Sequence, residues 1–170
     1  YPGIQPAGPT EITGDEWFRR AHGVGLHEVI IECPQSETHL SRLSVEQIRR
    51  ILKTYRDRLS MLRREAQWAY ALIFKNHGPA AGATLAHAHS QLMALPFVPD
   101  IVHKEIATAR QHHVQTGHSF FAEWIAREQA AGVRIVQTTA NHIAFCPFAS
   151  RFPFEVCVLP QSPTPHFDTI

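Results

Sequence analysis

From Ser44 onward, apolar residues recur at helical spacing. Val45, Ile48, Leu52, Tyr55, Leu59 and Leu62 fall on one face, while Arg49, Arg50, Lys53, Arg56 and Arg63 take the other. This pattern predicts a long amphipathic helix. Ser44 followed three residues later by Gln47 has the form of a capping box, in which each side chain satisfies a backbone amide of the first turn. Upstream, His27-Glu28-Val29-Ile30-Ile31-Glu32-Cys33 is β-branched at its centre and stops at Pro34, which predicts a buried strand. Downstream, Trp68 to Lys75 reads as a second strand, Gly78 to Gly82 as a turn, and Ala86 to Leu95 as a third strand.

Two helices are expected next, Pro99 to Gln115 and Phe120 to Ala131, separated by Gly117 and ended by Gly132. They form an excursion before the chain returns to strands at Val133 to Thr138, His142 to Pro147 and Phe154 to Leu159. The aromatic residues of this last region, Phe145, Phe148, Phe152 and Phe154, are assigned to the core. Residues 1 to 25 contain Pro2, Pro6, Pro9 and several glycines and read as an irregular segment. The sequence of elements predicts an α+β fold with a mostly antiparallel sheet, free of internal repeats.

Composition narrows the function classes. At 170 residues the chain is long enough for one domain with its own core. The net charge of +1 creates no field that would argue for nucleic acid or an anionic membrane. No apolar run approaches the roughly 20 residues of a membrane-crossing helix. Cys33, Cys146 and Cys157 are odd in number and widely spaced, which excludes a readable disulfide framework or zinc knuckle and points to a reducing, cytoplasmic setting. The opening without methionine and the stop at Ile170 point to a fragment of a longer protein, with residues 161 to 170 beginning a further segment.

Histidine, 12 residues in all, is where the chemistry concentrates. On a strand, His87, His89 and Gln91 project together while Ala86, Ala88, Ser90 and Leu92 face the other way. One face can pack on a core while the other presents two imidazoles and an amide to a cleft. A neutral imidazole is a good nucleophile near pH 7 and a good leaving group once protonated. His89 is therefore a candidate nucleophile toward a phosphoryl group, with a backbone carbonyl expected to hold its other nitrogen. Gln91 is a candidate donor to the phosphate oxygens. Asn76, Gly82 and Thr84 offer small or donor-bearing positions nearby. Alternating histidines on a strand equally make a satisfied polar face, so the residues alone leave both readings open. His112, His113 and His118 read as a solvated surface, and Cys146 and Cys157 as small buried hydrophobes.

The wider context resembles a known family. His87-Ala88-His89-Ser90-Gln91 follows Phe74-Lys75-Asn76-His77-Gly78 and the Ala81-Gly82-Ala83-Thr84 turn, and precedes Ala94-Leu95-Pro96 and Val98-Pro99. Together with Gly25 to Glu32 and the run from Pro147 to Val156, this is similar to the galactose-1-phosphate uridylyltransferase family of the histidine-triad superfamily, across most of the chain. The resemblance implies a histidine-triad-like domain over residues 26 to 160, one half of a two-repeat enzyme. It implies that His89 attacks the α-phosphate of a nucleoside-diphosphate sugar and that Gln91 holds the phosphate of the nucleotidyl-enzyme. Asn76 and Thr84 would line the phosphate pocket, and a hexose 1-phosphate would resolve the intermediate, giving uridylyl transfer between UDP-hexose and hexose 1-phosphate in galactose metabolism. It also implies a homodimer, zinc at His87 and a second metal, zinc or iron, at Glu105.

Two departures bear on the metals. The family's Pro-Asp-His is Pro34-Gln35-Ser36 here, with His39 near but out of register. Where relatives carry Cys-x-x-Cys, the chain reads Ser119-Phe120-Phe121-Ala122. The same motifs also resemble ADP-glucose phosphorylase-type enzymes, so the base stays open. Hydrolysis through the same intermediate and a nucleotide-binding protein that has lost its metals are the other readings.

Overall fold

The structure is a computed structural model that describes residues 4–36, 39–83, 85 and 87–170. The chain divides into two compact units, Tyr1–Pro99 and Asp100–Ile170.

In the first unit, three strands form an antiparallel sheet: β1 (Leu26–Ile31), β2 (Tyr70–Phe74) and β3 (His89–Leu95), with β3 in the centre. Register sets Leu26, Glu28 and Ile30 opposite Ala94, Leu92 and Ser90, so these side chains share one face. Helix α1 (Val45–Leu62) contributes Leu62 to a core with Leu92 and Ala94, joined by Leu26, Ile30, Trp68, Ala71 and Ile73. The expected stripe of α1 holds at Ile48, Tyr55, Leu59 and Leu62, which are buried or half-buried, and departs from expectation at two positions. Ile51 is buried, whereas Leu52 and Val45 are exposed. An Arg58–Glu28 ion pair ties α1 to β1.

Only half of the expected capping box forms. Ser44 Oγ accepts from the Gln47 amide at 3.2 Å, but the Gln47 side chain donates to the Glu32 carbonyl and so fastens the helix start to the end of β1. The segment before β1 is irregular, with isolated bridges at Gln5–Val24 and Thr13–Arg20.

All three strands are shorter than the sequence implies. β3 begins at His89, so His87 and Ala88 lie outside it. Beyond Ile31 the ladder gains one further bond, Glu32 N–H to Ala88 O at 3.0 Å. Pro34 then brings no N–H to extend it. On the other edge β2 has already ended at Phe74, opposite Gln91.

In the second unit, helices α2 (Asp100–Thr116) and α3 (Phe120–Ala131) precede an antiparallel sheet of β4 (Ile135–Thr138), β5 (His142–Phe145) and β6 (Cys157–Pro160). Ser119 caps α3 and Gly132, at φ 69°, ends it. Ile125, Ile143 and Phe145 are buried with Trp124, Ile135, Cys157 and Leu159 around them. Glu128, also buried, is held by Arg134 at 2.8 Å and Trp124 at 3.3 Å.

Of the four phenylalanines assigned to the core, only Phe145 is in it. Phe148, Phe152 and Phe154 are 83%, 65% and 98% exposed. Phe148 and Phe152 fall in the stretch between the two expected strands, and Phe154, expected to open the last one, lies before it at φ 64° because β6 begins only at Cys157. His112 is not fully solvated either, since it pairs with Glu123 at 2.9 Å and abuts Phe120. Cys33 is buried, Cys146 and Cys157 are half-buried, and all three are free thiols. Burial pushes the Cys157 thiol above its ordinary pKa. No described helix is long and apolar enough to cross a membrane.

Candidate active site

A cavity of about 510 Å³ opens where β2 and β3 part, lined by Lys75, Asn76, His77, Gly78, His87 and His89 among others. The open shape follows from the early end of β2. The chain turns away through Gly78 (φ 77°) and Gly82 (φ 83°), both in conformations that favour glycine. A single turn of 3₁₀ helix, Pro79–Ala81, lies between them.

His89 is 6% exposed and sits at the first position of β3. Its ring Nδ1 lies 2.8 Å from the His87 carbonyl. A carbonyl only accepts, so Nδ1 carries the proton and Nε2 is left with the lone pair. This is the main-chain acceptor expected for the second nitrogen of a nucleophilic imidazole. Behind the strand, Ser90 and Leu92 are 1% and 0% exposed, so the alternation expected of this segment holds from His89 onward.

Gln91 is on the His89 face but outside the cavity wall. Its Oε1 lies 2.9 Å from His27 Nε2 of β1. Because an amide oxygen can only accept, His27 is the donor and the Gln91 NH₂ group remains as a donor to a ligand. Asn76 lines the cavity as expected. Gly82 does not, and instead ends the Pro79–Ala81 turn in a left-handed conformation. Thr84 lies outside the described residues.

His39, out of register in the sequence, lines the same cavity and stacks edge-on against His77 at 4.7 Å between ring centroids. Sequence reasoning also missed the buried group behind His89. Glu32, 1% exposed, accepts from Lys75 at 2.6 Å and from the hydroxyls of Tyr55 and Ser90. Burial pushes the Glu32 carboxyl up, but the bonds from Lys75, Ser90 and Tyr55 outweigh it and hold the group below its ordinary value. Burial likewise pushes the Tyr55 phenol up, opposed by its contact with Ser90 and reinforced by Glu32. The only sequence signal was a lysine closing an otherwise apolar strand.

Among the described residues, those around His87 do not form a metal's ligand set. His87 Nε2 donates to the Cys33 carbonyl at 2.6 Å, with the Cys33 thiol at 3.9 Å. Among the described residues no three histidine, cysteine or acidic side chains gather as ligands. Glu105 is an exposed residue of α2.

Comparison with known proteins bears on this site. Residues 4–99, which contain the whole cavity, match the model of the galactose-1-phosphate uridyl transferase N-terminal domain. The chain belongs to this family. It is 30% identical over 169 residues to an ADP-glucose phosphorylase of Arabidopsis thaliana, covering 98% of this chain and 47% of that protein. To the galactose-1-phosphate uridylyltransferase of Haemophilus influenzae it is 31% identical over 152 residues, 89% of this chain and 43% of the relative. A solved uridylyltransferase structure superposes with a TM-score of 0.88 at 28% identity, covering 98% of this chain and 52% of that one. The chain thus spans about half the length of the uridylyltransferase-family relatives it matches, and the α+β, histidine-triad-like fold read from the sequence is the fold of the family.

Proposed function

We propose that this chain forms the nucleophile-bearing part of a hexose-1-phosphate nucleotidyltransferase that moves a UMP group between UDP-hexose and hexose 1-phosphate. His89 Nε2 attacks the α-phosphorus. The bond from that phosphorus to the bridging oxygen breaks, and hexose 1-phosphate leaves with the electron pair. A second hexose 1-phosphate then attacks the phosphorus with a phosphate oxygen, and the imidazole departs. The Gln91 NH₂ donates to the phosphate oxygens as charge develops on them, and Asn76 lies where the same phosphate can be reached. The observation that carries this reading is the 2.8 Å bond from His89 Nδ1 to the His87 carbonyl, which leaves the lone pair on Nε2 of a residue that lines the cavity.

A second reading keeps the mechanism and changes the base to adenine, with ADP-glucose as donor. It is favoured by the similarity, over almost the whole chain, to the Arabidopsis phosphorylase. In either reading the enzyme is cytoplasmic and a homodimer, a partner completing the site. Val29, Ile31 and Leu72, exposed apolar residues on the His89 face, support such a cover.

Intact-mass spectrometry after incubation with UDP-glucose and, separately, ADP-glucose tests this directly. The expected result is a gain of one uridylyl group, absent from His89→Gly. An adenylyl gain selects the second reading. Free nucleotide without hexose-phosphate exchange points to hydrolysis, and no adduct with either sugar nucleotide overturns the proposal in favour of a binding role.

A further inference from the structure

We propose that Lys75 is a positioning residue for His89, its ammonium standing in for the backbone donor that the sheet fails to supply at the His89 carbonyl. This inference rests on the reading of His89 as nucleophile.

Glu32 N–H donates to Ala88 O, so the Ala88 carbonyl faces β1. Alternation along the strand turns the next carbonyl, that of His89, toward the β2 side. Continued at the same register, β2 would set Asn76 opposite His89. But β2 ends at Phe74, and a buried carbonyl without a partner is costly. Lys75 Nζ lies 2.9 Å from His89 O and takes that place.

The ammonium is itself fixed. Its second bond, at 2.6 Å, runs to Glu32 Oε2, whose other oxygen is held by Tyr55 and Ser90. Two strand ends and α1 therefore converge on one cation, and the cation converges on the main chain of the nucleophile. A charge-assisted bond is stronger than the amide bond it replaces. Three successive carbonyls are thus committed: His87 O to the His89 ring, Ala88 O to the Glu32 amide, and His89 O to Lys75. If Lys75 lets go, the His89 peptide can rotate and the ring can leave its carbonyl.

The test combines substrate-independent and substrate-dependent measurements on wild type, Lys75→Met, Lys75→Arg and Tyr55→Phe. Nitrogen-15 NMR of the histidine side chains reads the His89 tautomer with no substrate present. Rapid-quench mass spectrometry reads the rate of nucleotidyl-enzyme formation with whichever sugar nucleotide gives an adduct.

In Lys75→Met the His89 Nδ1–H signature is expected to broaden or be lost. The maximal rate of adduct formation should fall about 10- to 100-fold, the scale of a small misplacement of a reacting group, with the half-saturating concentration within about twofold. Lys75→Arg recovers part of both. Tyr55→Phe, which removes one of the two hydroxyls holding Glu32 and leaves the Lys75 bond to His89 in place, is expected to give a smaller loss of both than Lys75→Met. Should Lys75→Met not fold, the Glu32→Gln/Lys75→Met pair, which leaves no unpaired buried carboxylate, takes its place.

An unaltered His89 signature and maximal rate in the lysine variant would overturn the proposal. So would a loss confined to the half-saturating concentration, which would make Lys75 a substrate-binding group. Failure of the wild type to form any adduct would instead sink the functional reading, while the NMR arm still decides whether Lys75 positions the ring.

Discussion

His27 and Gln91 meet across the β1–β3 pair at 2.9 Å, imidazole to amide oxygen, and this contact decides which end of the amide is offered to a phosphate. With Oε1 occupied, the NH₂ end is left. His27→Ala removes a bond worth about 1 kcal/mol and lets the amide turn over. Adduct formation is expected to slow by about three- to tenfold, while the thermal midpoint, with His27 exposed on the sheet surface, stays nearly unchanged. In a double-mutant cycle with Gln91→Ala, the effect of His27→Ala should vanish once the amide is gone.

The Glu32 network carries a pH signature. The native carboxyl lies below the ordinary glutamate value of 4.5, so its contribution to stability is fully present above that value. It is lost as pH falls from there through the lowered native value, because the unfolded chain takes up the proton first. Urea midpoints measured down a pH series should fall in this window for wild type and fall less steeply for Glu32→Gln, which starts from lower stability at neutral pH.

Ser44→Ala tests the entry to α1. The Gln47 amide loses its cap, and about 1 kcal/mol of unfolding free energy should go with it. Gln47→Ala acts at a different point, releasing the helix start from the Glu32 carbonyl. Chemical denaturation of both single variants and the double should show less than additive losses, since the two bonds fix the same turn.

In the second unit, Phe145 and Phe154 should respond very differently to truncation. Phe145 is fully buried against Trp124, with ring centroids 5.1 Å apart, and Phe145→Ala is expected to cost about 3–5 kcal/mol. Phe154→Ala, at an almost fully exposed ring, should stay within about 0.5 kcal/mol. Denaturant unfolding followed by tryptophan fluorescence, with Trp124 as the nearby reporter, separates the two.

How much of this was legible in the chain depends on the range of the forces involved. Local signals, such as the Ser44 cap, the Gly132 stop and the in-out alternation through Ser90 and Leu92, gave the elements and the orientation of His89. The apolar stripe of α1 was legible at Ile48, Tyr55, Leu59 and Leu62 but not at Leu52, because Leu52 and Ile51 are equally apolar and only the sheet decides which one packs. Phe148, Phe152 and Phe154 carry strand-like residue types, yet the chain turns there and leaves the rings in solvent. Lys75, Glu32 and Tyr55 were missed for a different reason. Their pairing spans 43 and 23 residues, and no local pattern marks a lysine that folds back under its own strand.

The early end of β2 has a consequence for how this site can change over generations. Four more residues of regular strand, Lys75 to Gly78, would bring backbone amides toward the carbonyls of His89 and then His87, a gain for the sheet of the kind that random substitution toward β-formers around Asn76 and Gly78 would readily supply. That same gain would displace Lys75 from one carbonyl and the His89 ring from the other, releasing the imidazole to flip its proton. Selection for stability and selection for chemistry therefore pull on this stretch in opposite directions, and the left-handed glycine at Gly78, where a longer strand would have to pass, is the residue that keeps the frayed end frayed.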